Sequence, residues 1–322
     1  GRPDGDRRGP STVVSGLLPQ PPAEAGRAAE VHLLCIPFAS TPELRDSALE
    51  RIGTLFERRA GLRLRVTHFD DYETTREALE SGVGDAALLS PLLYVQVAED
   101  YAAEPSLRGA RLRLLASAVA GGSPTYVGYI TAAADGPIRE LADVEGRPFG
   151  MVEGSTSGFL YPIDLADSRG LDPARLFGRV TFYPRHPEMV ADLLRPPAER
   201  PIEAAALYQH IVDALGPADR ARLRIVAKTG RIPRDALVVV VPLVDGREDP
   251  AALRRAAALQ HAMLAVDDDP ETARALRDGI GYDGWIVGDD RRYDAIRNVY
   301  RRFGRYRFGQ GARTGEAEAS GQ

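Results

Sequence analysis

The 322-residue chain holds one cysteine (Cys35), one lysine (Lys228), one tryptophan and three methionines. A lone cysteine excludes an intramolecular disulfide framework and any multi-cysteine zinc site. With one lysine among 41 basic residues, arginine supplies nearly all positive charge, and without a basic surplus this is a compositional bias rather than a nucleic-acid signature. The net charge is −5: residues 1–30 balance to zero and residues 301–322 carry +3, which leaves −8 on residues 31–300. An acidic body disfavours nucleic acid or an anionic membrane surface as partner. It still admits a small anion, whose site is built from local dipoles. No apolar run approaches the roughly 20 residues that a membrane helix requires. The five histidines (His32, His68, His186, His210, His261) are scattered and no H-E-x-x-H occurs, so neither a metal nor another cofactor is expected.

Hydrophobic residues make up 44% and charged ones 27% of the chain, the balance of a globular protein with one large or two ordinary domains. Residues 1–30, rich in Pro, Gly, Arg and Ala and without a hydrophobic period, read as a disordered linker, and 303–322 as a flexible tail. Without an initiator Met or a charged-then-apolar leader, the sequence is expected to start downstream of a removed leader. Between the ends, apolar runs alternate with amphipathic stretches. Strands are expected at Val31–Ile36, Leu62–Phe69, Asp85–Leu89, Leu112–Ala120, Thr125–Ala132, Phe149–Val152, Ala204–Tyr208, Leu223–Ala227 and Leu237–Val241. Helices are expected at Thr41–Ala60, Tyr72–Ser81, Pro91–Glu99, Phe159–Ser168, Glu188–Leu194, Ala251–Leu264 and Glu271–Arg277. This alternation predicts an α/β protein with parallel sheets covered by helices.

Several motifs fail on context. Gly279–Gly284 and Gly82–Ala87 fit dinucleotide patterns on paper, but both follow a helix where the phosphate turn must follow a strand. Gly154–Gly158 has threonine where an esterase nucleophile would stand. Asp267–Asp269 reads as a turn and helix cap, because it lacks the Gly and Glu of a calcium loop. No enzyme signature survives.

One segment carries chemistry. An apolar strand ends at Glu153, Gly154-Ser155-Thr156-Ser157-Gly158 follows, and a helix begins. Hydroxyls beside the free N–H groups of a helix start can cradle a phosphate or sulfate, although Ser155 or Thr156 could equally be a simple N-cap. Ser90-Pro91 opens a second helix with Tyr94 one turn in, and Tyr72 follows a strand in the same way. Strand-end positions face the crevice of an open α/β sheet. For both tyrosines ordinary packing is the alternative.

In order along about residues 31–300, the chain resembles the substrate-binding proteins of ABC importers for phosphonate, phosphite and phosphate. The pieces that carry the resemblance are Ile36-Pro37, Asp71-Tyr72, Gly84-Asp85, Ser90-Pro91-Leu-Leu-Tyr94, Tyr126, Asp143-Val-Glu-Gly146, Ser155-Thr156-Ser157-Gly158, Phe182, His186, Ile232-Pro233-Arg-Asp235 and Asp290-Arg-Arg-Tyr293-Asp294. The resemblance implies a type II periplasmic-binding-protein fold: two lobes, each a mainly parallel sheet flanked by helices, joined by two crossover strands. It implies lobe 1 at 31–123 plus 237–302 and lobe 2 at 124–236. Ser155, Thr156 and Ser157, with Gly158 in the turn, would hold the anionic oxygens. Tyr72, Ser90 and Tyr94 would face them from the other lobe, with Tyr126 on a crossover strand, and His186 would add a donor. Asp235 matches a carboxylate that can meet a ligand's amino group. The strand ending in Tyr208-Gln209-His210 lacks the carboxylate the family places there, which makes Tyr208 a candidate contact. The implied function is capture of a small phosphorus oxyanion by a non-enzymatic, monomeric, periplasmic or extracytoplasmic solute-binding protein. It would be lipid-anchored before processing and would deliver its ligand to a membrane permease. Competing readings are a same-fold binder of a thiamin-precursor pyrimidine, a transferase of this architecture and a ligand-sensing module.

Overall fold

The computed structural model describes residues 13–20 and 29–308. Thirteen strands form two sheets: β1 Val14–Ser15, β2 Ala29–Cys35, β3 Leu62–His68, β4 Ala86–Leu89, β5 Ala110–Val119, β6 Thr125–Ala133, β7 Pro148–Val152, β8 Arg179–Tyr183, β9 Ala204–Tyr208, β10 Leu223–Pro233, β11 Ala236–Val244, β12 Arg247–Glu248 and β13 Gly284–Val287. The first sheet runs β1-β5-β11-β4-β2-β3, with β12 on β11 and β13 on β5, and the second runs β10-β6-β9-β7-β8. The chain therefore passes between sheets twice, through residues 120–124 and through Arg234–Asp235. Two α/β lobes result, the first sheet drawing its strands from both ends of the chain.

Each sheet is mixed rather than mainly parallel. The pairs β2/β3, β2/β4, β1/β5, β7/β8 and β7/β9 are parallel, but β11 returns antiparallel to both β4 and β5, and β6 lies antiparallel to β9 and β10. A strand that re-enters a sheet directly from the other lobe has no crossover helix to reverse it, so it pairs antiparallel.

Local sequence explains the helices that matter. Thr41 accepts from the Leu44 N–H, Pro42 supplies a pre-set first residue, and Gly61 ends the helix Pro42–Ala60 at φ 58° with its N–H turned back to Glu57 and Phe56. The helix Pro91–Ala103 runs four residues beyond the expected end at Glu99, and its first five residues are all buried. Strands β8 and β13 and the helix Asp294–Phe303 escape the periodicity reading, the two strands being short and only partly buried.

Two end segments depart from expectation. Residues 13–20, read as linker, contain β1, which pairs parallel with β5, and Val13 is buried. The cause is Gln260, a fully buried amide that accepts from the Leu18 N–H at 2.7 Å and donates to the Gly16 carbonyl at 2.9 Å. Residues 303–308, read as tail, dock on the second lobe: the Phe308 ring lies 6.0 Å from Phe159 and 6.1 Å from Phe177. The remainder of both end readings, residues 1–12, 21–28 and 309–322, lies outside the described residues. Among the described residues no helix is long and apolar enough to cross a membrane.

Candidate functional site

A cavity of about 370 Å³ lies between the lobes, and much of its wall consists of helix beginnings. Thr41 caps Pro42–Ala60, Tyr72 is the first residue of Tyr72–Glu80, and Ser90 caps Pro91–Ala103. From the other lobe, Ser155 caps a π-helical turn, Thr156–Leu160, that runs into Tyr161–Ser168, and His186 is the first residue of His186–Leu193. All five residues line the cavity. Each start presents N–H groups without intrahelical acceptors and the positive end of a helix dipole. A positive potential thus arises without ammonium groups, and Lys228, 5.3 Å from the Tyr129 ring centroid, is not on the wall.

The hydroxyl turn is tightly held. Ser155 Oγ accepts from the Gly158 N–H at 3.0 Å and meets His186 Nε2 at 3.2 Å. A Cβ on Gly158 would stand 2.7 Å from His186 Cε1, so only glycine lets the imidazole come this close. Thr156 Oγ1 accepts from the Leu92 N–H of the other lobe at 2.9 Å, which leaves its own proton free to donate. Ser155, Thr156 and Ser157 are each about 97–99% buried. The Tyr72 hydroxyl faces Ser155 and that of Tyr126 faces Ser157. Burial raises the pKa of Tyr72, Tyr126, Tyr208 and Tyr282 above the ordinary tyrosine value of 10.0, so all four remain neutral O–H donors.

Burial also pushes the His186 pKa down to about 4, with the nearby Ala206 backbone opposing it. The imidazole is neutral at pH 7; its Nε2 shares one hydrogen bond with Ser155 Oγ, while its buried Nδ1 has no hydrogen-bond partner among the described residues. A Ser–His pair at this spacing invites comparison with a hydrolytic site, but Nδ1 of this imidazole meets no carboxylate among the described residues, so the orienting member of a triad is missing.

The second link between the lobes supplies the charged groups. Asp235 is 7% exposed, and burial pushes its pKa up to about 7 against the hydrogen bond from the Tyr282 hydroxyl and the charge of Arg234. The Arg234 guanidinium lies 5.6 Å from the Tyr126 ring centroid, and its Nε donates to the Ser123 carbonyl at 3.0 Å. Tyr293 braces this link: its hydroxyl donates to the Arg234 carbonyl at 2.9 Å and lies 3.0 Å from Ser117 Oγ.

Of the residues expected at the site, Ser155, Thr156, Ser157, Tyr72, Tyr126, His186, Asp235, Tyr208 and Ser90 lie on this one cavity wall. Gly158 lies behind it, packed against His186. Tyr94 is not on the cavity wall. It is fully buried, donates to Asp290 Oδ1 at 2.5 Å and packs 4.5 Å from the Tyr293 ring, because the helix carrying it is buried on every side at that point. The sequence reading missed Arg234, Tyr282 and His210, which also line the cavity. Arg234 neighbours a residue already singled out. Tyr282 lies inside the Gly279–Gly284 segment, which is a helix C-terminus and the turn after it rather than a phosphate loop. Among the described residues no three His, Cys, Asp or Glu side chains converge to hold a metal ion.

Comparison with known proteins agrees with this geometry. A family model described as the periplasmic phosphonate substrate-binding protein of ABC transporters matches residues 35–293. The fold is similar to PhnD1 from Prochlorococcus marinus, solved with methylphosphonate (15% identity, TM-score 0.69, covering 86% of this chain and 99% of that one). It is also similar to a binding-protein component of a phosphonate transporter from Pseudomonas aeruginosa (19% identity, TM-score 0.67, covering 84% and 85%). A third similar structure is XAC2383 from Xanthomonas citri, solved with chloride (21% identity, TM-score 0.63, covering 85% and 98%).

Proposed function

The chain belongs to the periplasmic substrate-binding proteins of phosphonate ABC transporters, and on that premise we propose that Ser155, Thr156 and Ser157 hold a phosphorus oxyanion (phosphonate, phosphite or phosphate) in the interlobe cavity. One observation carries the reading: three hydroxyls on the first turn of one lobe's helix share a cavity wall with the helix starts at Tyr72 and Ser90 of the other. Donors from both lobes then converge on one anion, which binds the closed arrangement better than the open one. That difference in affinity is what drives closure about the two links. The closed form also gathers contacts remote from the ligand. Arg302 reaches Asp164 at 3.1 Å and also pairs with Asp167, and Phe308 seats among Phe159, Phe177 and Phe182. The closed face is then what a membrane permease partner reads. Members of the family bind and deliver solute, and the chain is not an enzyme.

Calorimetry with Ser157→Ala tests the assignment against methylphosphonate, phosphite and phosphate. A hydrogen bond to a charged group contributes about 1.5–3 kcal/mol, so the affinity for whichever of these binds best should fall roughly 10- to 100-fold. Unchanged affinities across the series would remove Ser157 from the site. A thermal-shift response to pyrimidines and to none of the oxyanions would replace this reading with the competing one.

A further inference from the structure

The cavity is far larger than a tetrahedral oxyanion needs. On the scale of the 370 Å³, one water takes about 10–15 Å³, so a bare phosphate or phosphite fills only a minor part of the space. The unfilled part has its own character. Gly281 abuts His210, as a Cβ on Gly281 would lie 3.6 Å from His210 Cδ2, and a Cβ on Gly279 would lie 2.5 Å from the Leu44 carbonyl oxygen. Leu44 and Ile280 of the first lobe and Ile211 and Leu215 of the second all line the cavity, and the Gly281–His210 approach brings the segments that carry Ile280 and Ile211 together. The Tyr208 ring links this end to the hydroxyl turn, 6.3 Å from His210 and 5.2 Å from His186, and Tyr282, next to Gly281, also lines the cavity with its hydroxyl on Asp235.

The charge along this path is sparse. Asp235, the buried carboxyl, is already the acceptor for the Tyr282 hydroxyl, and burial favours its neutral form. Arg185 at the wall is paired with Glu188 at 2.9 Å, and Asp278 sits exposed at the rim. Arg234, also on the wall, sets a positive charge beside Asp235, so a cationic tail would meet a like charge and a carboxyl already engaged by Tyr282, whereas an alkyl or aryl group would find two aromatic faces and an aliphatic end.

Resting on the oxyanion reading of the hydroxyl turn, we infer that the ligand is an organophosphonate or phosphate monoester with an uncharged alkyl or aryl substituent, which lies between Tyr208 and Tyr282 and ends against Leu44, Ile211, Leu215 and Ile280.

The test is a calorimetric series on the full chain: inorganic phosphate, methyl-, propyl- and phenylphosphonate, and 2-aminoethylphosphonate. Burial of a methylene is worth a factor of about four in affinity, so propyl should exceed methylphosphonate by about 15-fold and phenylphosphonate should bind at least as well as propyl. The 2-aminoethyl compound, close in length to propyl, should bind more weakly than it. Ile211→Ser should compress the ratio between phenyl- and methylphosphonate. If that variant folds poorly, the wild-type series decides alone. Equal affinity along the series, or tightest binding of the aminoethyl compound, overturns the apolar-tail inference and leaves the oxyanion reading intact. Binding of none of the five overturns both.

Discussion

Thr156 in one lobe caps a helix in the other: its Oγ1 accepts the Leu92 N–H at 2.9 Å, while Ser90, the cap from the helix's own chain end, accepts the Leu93 N–H at 3.4 Å. On the proposed hinge closure, any opening that separates the lobes would break this bond. In Thr156→Val the side-chain shape is kept and the acceptor lost. A cap or a net hydrogen bond is worth about 1 kcal/mol, so the ratio of closed to open protein without ligand should fall about fivefold. Small-angle scattering should show a larger radius of gyration for the ligand-free variant. An unchanged scattering curve together with unchanged oxyanion affinity would mean that the interlobe cap does not govern closure.

Tyr94→Phe separates packing from binding at a position that the motif alone assigns to the ligand. The variant removes the hydrogen bond to Asp290, which also receives Arg297. Stability should fall by about 1–2 kcal/mol, seen as a drop in Tm, while the fold loss in oxyanion affinity should be far smaller than for Ser157→Ala. A comparable affinity loss in the two variants would return Tyr94 to the site.

Much of the architecture is legible in the sequence because it is local. The buried runs of β2 and β4, the Thr41-Pro42 and Ser90-Pro91 starts and the hydroxyl turn after β7 each declare themselves within a few residues. What escaped depends on distant partners. Strand β1 is held by Gln260, some 245 residues away, and residues 303–308 are held by a phenylalanine cluster on the other lobe. Tyr282 and Arg234 reach the cavity only because the lobes meet there. Tyr94 shows the limit most plainly, since a position one turn into a helix faces the cleft or the core according to how that helix rolls, and no local pattern fixes the roll where the first five residues are all buried.

Asp235 makes stability depend on pH in a definite direction. Its pKa is raised from 3.8 to about 7, so between those values the folded state holds a proton that the unfolded state has lost, and stability falls as pH rises through that window. At about 1.4 kcal/mol for each pKa unit, the loss from this group reaches roughly 4 kcal/mol as an upper bound. Asp235→Asn keeps an acceptor for Tyr282 and removes the titration. Its Tm should therefore decline less than that of the native chain between pH 4.5 and 7.5. Parallel Tm profiles for the two proteins would show that Asp235 titrates normally.

His186 should respond to the ligand. Burial holds its pKa near 4, and Nε2 meets Ser155 Oγ at 3.2 Å. An anion on the hydroxyl turn favours the imidazolium, which also releases Ser155 to donate to the ligand. The His186 pKa, followed by its Cε1–H resonance, should rise by at least one unit on saturation with methylphosphonate, with proton uptake between about pH 4 and 6. A pKa that stays near 4 in the complex would place the anion away from this ring.

The one tryptophan of the chain, Trp285, stands 5.8 Å edge-on to Tyr282, whose hydroxyl holds Asp235 on the cavity wall. An indole 5% exposed and this near to the tyrosines of the cleft collects their excitation energy, so its emission carries a signature of whatever displaces water there. The protein contains its own optical gauge of occupancy, and solute capture can be followed by intrinsic fluorescence without a label or an added residue.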